Sequence, residues 1–405
     1  MYLLRERLWL RGTIWALSVL LATVISVVGI RLVLPANKIC PDFIQFWTAA
    51  KLLRAGESPY GVAGQARVQS EYGFDRATDG AGSYDFMPYY YPPWLGVLCV
   101  SLLPLGYATA RLTWFVVLFE SLLLSGYLLR GRAPGLPSWG TLLLTPLFAF
   151  SLMALLVGQV APLMLFLMVA AWLLLEHGWD RSAGWILAGL MTKPHLALAV
   201  VAAVLLWSIK QRRWRTVQGF LGGLAVLGAV STCLVPDWPL QMLQAPTQIP
   251  LVTVERPWLS ITWYSLWQNV GLSGWMLRGA YALGVVLAAG LLISSIRRRT
   301  CPLSDVFGLG VLAAFFLTPY ARAYDLTVLI VPLIVLVGRL RPVWGMMLLV
   351  VCIVVPTAQL CLTATWGPEG REVMLCWPPL LLSLLWFLSC CQHISVLSRP
   401  SLVLD

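Results

Sequence analysis

The sequence predicts an all-α polytopic membrane protein, and three observations carry that prediction. Apolar residues fill 59% of the 405 positions and charged residues only 11%, against roughly 25% charge in soluble domains. Apolar stretches near 20 residues long, enough to cross a bilayer core about 30 Å thick, recur along the whole chain. The basic residues behind the net charge of +11 gather in short clusters between those stretches. This pattern excludes a soluble domain and gives no reason to expect nucleic acid as a partner. In lipid every backbone polar group must be satisfied internally, so the stretches should be helices.

In chain order the stretches are 13–34, 94–129, 139–156, 160–176, 183–208, 216–235, 277–296, 304–317, 324–338, 343–362 and 377–392. Depending on how breaks are counted, they make a single bundle of about 11–13 transmembrane helices over residues 1–405. The first follows Arg5, Arg7 and Arg11 and lacks a cleavage signature, so it reads as a retained signal anchor. Lys210, Arg212, Arg213 and Arg215 form a second basic cluster, Arg297 to Arg299 a third, and Arg339 with Arg341 a fourth. By the positive-inside rule these clusters and the N-terminus face the cytoplasm of a cell membrane. The loops 35–93, 236–276, 318–323 and 363–376 then lie outside.

The first outer loop resembles ordinary folded protein, with six of the 17 acidic residues. Phe43, Phe46, Trp47 and Ala50 fall on one face of a helix covering about 42–55, with Asp42 at its start. A second helix is expected over 62–72. Both should lie on the membrane surface with apolar faces down. Tyr89-Tyr90-Tyr91-Pro92-Pro93-Trp94 returns the chain to the membrane. Beyond it the topology stays open. If 94–129 crosses once, 183–208 is a re-entrant hairpin with Lys193-Pro194 at its tip; if Pro104-Leu105-Gly106 splits 94–129, then 183–208 is one broken span.

Ionisable groups at membrane depth are costly and point to function. Lys193, between Thr192 and Pro194-His195, sets a cation and an imidazole at a helix break, where a phosphate could bind; satisfaction by helix-end carbonyls is the structural alternative. Gln159 follows Gly158 at another break and could bond a polar ligand. Arg322 and Asp325, three apart beside Tyr324, suggest a local salt bridge or a cavity lining. Glu255-Arg256 in the second outer loop reads as solvated. Arg111 and Glu120 read as structural pairs with other helices. Asp42 could be a simple N-cap, or a base or ligand at the interface. Of nine cysteines none forms a metal-binding pattern, and Cys40 could pair with Cys361 or Cys376.

Taken together, Asp42-Phe43-x-x-Phe46-Trp47-x-Ala49-Ala50-x-Leu52-Leu53-x-x-Gly56-x-x-Pro59-Tyr60, Tyr91-Pro92-Pro93, Pro104-Leu105, Gly158-Gln159 and Lys193-Pro194 resemble, in content and order, the polyprenol-dependent glycosyltransferases of family 87. That family has the multi-spanning GT-C architecture and includes mannosyltransferases. The resemblance implies transfer of a sugar from a polyprenyl-phosphate donor to a glycolipid or glycan acceptor on the outer face. It implies Asp42 as general base and inversion at the anomeric carbon. Lys193, His195, Gln159, Tyr91, Tyr60, Trp47, Arg322 and Asp325 would serve donor or substrate binding. Asp42 has no acidic neighbour before Glu57, so a metal-independent mechanism without cofactor is expected. A transporter or flippase for a lipid-linked substrate is the rival reading, but no internal repeat of the kind transporters show is visible.

Overall fold

The structure is a computed structural model that describes residues 39–75, 84–133, 136–137, 139–248, 256–298, 300–365 and 372–397, with isolated positions 21, 24, 28 and 29. The expected signal anchor at 13–34 lies outside the described residues apart from those four positions. Two two-residue strands, β1 (Phe74–Asp75) and β2 (Tyr84–Asp85), pair in parallel, and all other regular structure is helical.

The predicted outer loop forms α1 (Phe43–Arg54) and α2 (Val62–Ser70). The chain then continues through α3 (Pro93–Val100), a 3-10 turn at Leu103–Leu105 and α4 (Gly106–Leu128). Next come α5 (Gly140–Leu147), α6 (Ala149–Val157), α7 (Ala161–Glu176), α8 (Asp180–Leu190), α9 (Pro194–Lys210), α10 (Trp214–Leu234) and α11 (Trp238–Gln248). The last third holds α12 (Trp263–Asn269), α13 (Gly274–Arg297), α14 (Leu303–Leu317), a 3-10 segment at Ala323–Leu329, α15 (Ile330–Arg339), α16 (Pro342–Thr365), a 3-10 turn at Glu372–Cys376 and α17 (Trp377–Leu397).

Among the described residues five segments are helical, long and apolar enough to cross a bilayer: Leu103–Leu128, Trp214–Leu234, Gly274–Arg297, Pro342–Leu362 and Glu372–Ser389. The pair α5 and α6, bent by 53° at Phe148, makes a sixth when counted as one span. The expected stretches from 94 onward appear as helices, but several are broken or short: α7, α9 and α14 have 15 to 17 residues each. Long helices surround them. α10, α13 and α16 carry exposed Leu221, Val226, Leu283, Val286, Val350 and Val354, apolar faces suited to contact with lipid. The short helices form the centre, where α14 packs on α9 and is buried along almost all of its length.

The first of the two expected surface helices is not as foreseen. Ten of the twelve residues of α1 are buried inside the protein. Its stripe of Phe43, Phe46 and Trp47 packs on Tyr72, Tyr91, Tyr107 and Trp114, with ring centroids 5.2 to 6.3 Å apart. Its other side meets α3, where Ala49 and Leu53 lie against Gly96. The stripe read as lipid-seeking is aromatic, and aromatic side chains bury as well against one another as against acyl chains. Nor do α8 and α9 fold back along each other as a hairpin. They meet only at the break Met191-Thr192-Lys193, and α8 packs instead on α10 and α7. The break in 94–129 falls where foreseen, yet α3, eight residues long, reaches only about 12 Å at 1.5 Å per residue and cannot cross alone.

Three of the charge pairs lie at one end of the core helices. Arg132 pairs with Glu176 at the end of α7, Arg213 with Asp180 beside it, and Arg339 with Asp305 at the start of α14. Lys210, ending α9, donates to the Ile296 carbonyl at 2.6 Å. The opposite ends of the same three helices, at Ala161, Pro194 and Leu317, converge on the site described next.

Candidate active site

Gly158-Gln159 is the first fixed point. Gly158 ends α6 in the left-handed region, φ +85°, which favours glycine. A side chain here would also collide with Cys40, whose Cβ lies 2.7 Å from where a Cβ would be. That close approach lets the segment before α1 dock on the end of α6. Cys40 N–H donates to the Leu156 carbonyl at 2.7 Å and Asp42 N–H to the Val157 carbonyl at 2.9 Å, while Trp114 Nε1 holds the Gly158 carbonyl at 2.8 Å. The Cys40 thiol donates to the Leu155 carbonyl and is free, as are Cys361 and Cys376. The disulfide considered for Cys40 is therefore not formed; Cys40 is locked into the α6 junction, while Cys361 is exposed.

Docked this way, Asp42 precedes α1 without capping it, because its side chain accepts no bond from the helix. The carboxylate instead accepts from Gln159 Nε2, and Gln159 Oε1 accepts from the Tyr91 hydroxyl at 2.9 Å. Burial pushes the Asp42 carboxyl above the usual carboxylate range; the Gln159 bond and the charges of Arg322 and Lys193 pull it back toward ionisation. Asp42 and Gln159 open onto a cavity of about 410 Å³. Tyr90, Tyr91, Tyr320 and Tyr324 line it with rings, and Lys193, His195, Arg256 and Arg322 bring positive or polar heads.

The break before α9 places Lys193 and His195. Pro194 starts α9, where its missing N–H costs nothing, and Trp94 Nε1 donates to Thr192 Oγ1 at 3.0 Å. Lys193 is 2% exposed and paired with the fully buried Asp325, Nζ to Oδ1 2.5 Å. Its ammonium also sits 4.8 Å from the Tyr324 ring centroid. The partner of Lys193 is thus a carboxylate rather than the helix-end carbonyls given as its structural alternative, since a buried charge is tolerable only when paired. His195 Nε2 is buried and faces Asp325 Oδ2 at 3.7 Å, just beyond hydrogen-bond length.

Arg322 and Asp325 do not bridge each other through side chains. Asp325 Oδ2 accepts from the Arg322 backbone N–H at 3.0 Å, closing the 3-10 turn. The Arg322 guanidinium turns to Glu372, with Nη2 to Oε1 2.6 Å and Nε to both oxygens at 3.1 Å. Of the residues expected to bind substrate, Asp42, Gln159, Tyr91, Lys193, His195 and Arg322 line the cavity. Tyr60 and Trp47 do not: Tyr60 is buried and donates its hydroxyl to the Tyr91 carbonyl at 2.8 Å, and Trp47 is packed against Tyr72 and Tyr107. Asp325 sits one layer behind, holding Lys193. Arg111 lies over the Tyr107 ring, one turn earlier on its own helix α4, where a partner on another helix was expected.

Sequence reasoning missed several parts. Gln65 and Gln69, one turn apart on α2 and buried, clamp the extended segment that forms a cavity wall: Gln69 exchanges two bonds with Met87 and Gln65 accepts from Tyr89 N–H at 2.9 Å. Their i, i+4 spacing in an otherwise weakly apolar helix was the available signal. Glu372 had none beyond lying in an outer loop, and Arg256, read as solvated, lines the cavity instead. Among the described residues no three His, Cys, Asp or Glu side chains gather to hold a metal ion.

A helical membrane bundle whose broken central helices enclose a tyrosine-lined, charge-edged cavity at one end is the frame of a membrane enzyme acting on a polar substrate. Residues 89–319 match the family model of glycosyltransferase family 87, more than half of the chain. The chain belongs to that family and is a membrane glycosyltransferase. No curated protein and no solved structure matches it. The matched region contains Tyr91, Gln159, Lys193, His195 and Arg256; Asp42, Arg322 and Asp325 fall outside it.

Proposed function

We propose that this protein transfers a sugar, with mannose the first candidate, from a polyprenyl-phosphate donor to a hydroxyl of a lipid or glycan acceptor on the outer face of a cell membrane. The observation that carries the reading is Asp42: a carboxylate at a helix start that is not spent on capping, is held by Gln159 and faces a 410 Å³ cavity.

In the proposed reaction the acceptor hydroxyl lies against Asp42. Its oxygen attacks the anomeric carbon as the carboxylate takes its proton. The bond from that carbon to the donor phosphate oxygen breaks on the opposite face, and the electron pair leaves with polyprenyl phosphate. One displacement inverts the anomeric centre and needs no second carboxylate as nucleophile. The tyrosines around the cavity supply rings against which a sugar can pack, and its positive side chains meet the charge gathering on the leaving group. Because the basic loops sit at the far end of α7, α9 and α14, a cytoplasmic placing of those loops sets the cavity at the outer face.

Purified protein in nanodiscs, given labelled polyprenyl-phosphate mannose and a glycolipid acceptor pool, should transfer label. Asp42→Asn, which keeps the size and the Gln159 contact, should lower the rate about a hundredfold or more with an unchanged unfolding midpoint. Full activity in that variant would remove Asp42 as the base, and donor movement across the bilayer without transfer would favour a flippase.

A further inference from the structure

The cations around the cavity are unequal. Lys193 is neutralised by Asp325 and Arg322 by Glu372, each in a charge-assisted contact of 2.5 to 2.6 Å. Either cation could serve an incoming anion only by sharing its charge with a buried acid. Arg256 is different. It lines the same cavity, is exposed, and pairs with no acid among the described residues.

Its place is fixed by backbone. Arg256 precedes the 3-10 turn Pro257–Leu259, and the Leu259 N–H donates to the Arg256 carbonyl at 3.0 Å. Two residues on, Ile261 N–H donates to the Ala321 carbonyl at 3.0 Å, next to Arg322. The rim that carries Arg256 is therefore tied to the segment that carries Tyr320 and Arg322. His195 at the start of α9 lines the same cavity, but its Nε2 is buried and faces the Asp325 carboxylate at 3.7 Å, so it is not free for a ligand. A guanidinium that meets no acid among the described residues and edges the cavity has N–H donors to offer an oxyanion.

We propose that Arg256 is the side chain that grips the phosphate of the lipid-linked donor, with Lys193 and Arg322 held back as structural charges that shape the cavity. The assignment rests on the phosphate-donor reading and names the residue that carries it. Arg256 in this role is a binding residue: it holds the phosphate oxygens before and after the bond to the sugar breaks.

The test uses the whole protein in nanodiscs of phosphatidylcholine. The probes are a short-chain isoprenyl monophosphate, the matching isoprenyl alcohol and inorganic phosphate, with binding read by calorimetry and no turnover required. Wild type should bind the monophosphate more tightly than the alcohol or inorganic phosphate. Arg256→Ala should weaken monophosphate binding about tenfold or more and leave the alcohol unchanged, while Arg256→Lys falls between the two. Arg212→Ala, an exposed cation at the other end of the core, should change nothing, which separates a specific grip from a general loss of positive charge. Monophosphate affinity in Arg256→Ala within about twofold of wild type would overturn the assignment while leaving the donor reading in place. Equal binding of alcohol and monophosphate by wild type would overturn the donor reading and the assignment with it. Wild-type affinity for inorganic phosphate equal to that for the isoprenyl phosphate would replace the lipid-linked ligand with a free one.

Discussion

Asp42 is set apart by what it does not do. A carboxylate one residue before a helix ordinarily caps it, a contact worth about 1 kcal/mol, yet here it turns to Gln159 and the cavity. The bond from Gln159 favours the ionised form, against burial, which favours the neutral acid. Removing it should raise the Asp42 pKa further. A base works only when ionised, so Gln159→Leu should move the acid limb of the kcat profile to higher pH. The loss should be about tenfold or more at the acid end, the scale of a hydrogen bond to a charge, and should shrink as pH rises. A loss independent of pH would mean that Gln159 only packs. Asp325 poses the converse case. Asp325→Asn leaves Lys193 as an unpaired buried charge and should cost about 3–5 kcal/mol, read as a drop in the unfolding midpoint, whereas Lys193→Met with Asp325→Leu should recover much of it.

At the scale of elements, the site depends on junctions. Gly158 permits the approach of Cys40 that hangs α1 on α6, so Gly158→Ala combines a strained positive φ with a collision at Cys40. About 1–3 kcal/mol of strain is expected, and transfer activity should fall more than stability does, since Asp42 is displaced first; thermal unfolding and turnover measured on the same sample check this. These junctions also explain what was legible in the sequence. Helical stretches, their breaks at Gly158-Gln159 and Lys193-Pro194, and the helix that follows Asp42 are legible from hydropathy and from glycine and proline, which act locally. The burial of α1 did not follow, because an aromatic stripe fits lipid and protein equally well, and only Trp114, Tyr107 and Tyr91 from distant segments decide between them. The pairing of Lys193 with Asp325, 132 residues apart, and of Arg322 with Glu372, was likewise invisible, since charge partners across a bundle leave no spacing in the chain. Arg256 was visible as a charged outer-loop residue, but nothing in its spacing told a solvated side chain from one that edges the cavity.

At the scale of the molecule, α7, α9 and α14 each join the cavity to a basic end. Glu176 with Arg132, Lys210 with the Ile296 carbonyl, and Asp305 with Arg339 mark that end; Gln159, Lys193 and Tyr320 mark the other. The arrangement turns sidedness into one question, because the two ends must face opposite compartments if the core helices cross the bilayer. Positive clusters are retained in the cytoplasm, so the cavity should open outward. Single cysteines at Arg256 and Arg212, both exposed and at opposite ends, can decide it in intact cells. Cys233 and Cys361 are exposed and should first be changed to serine, with that parent protein as the labelling background. A membrane-impermeant maleimide should then label Arg256→Cys in intact cells and Arg212→Cys only after permeabilisation. The reverse pattern would put the cavity in the cytoplasm and require a donor built on that side. Labelling of both in intact cells would mean that α9 and its neighbours do not separate two compartments, and the outward transfer reading would fall with the crossing itself.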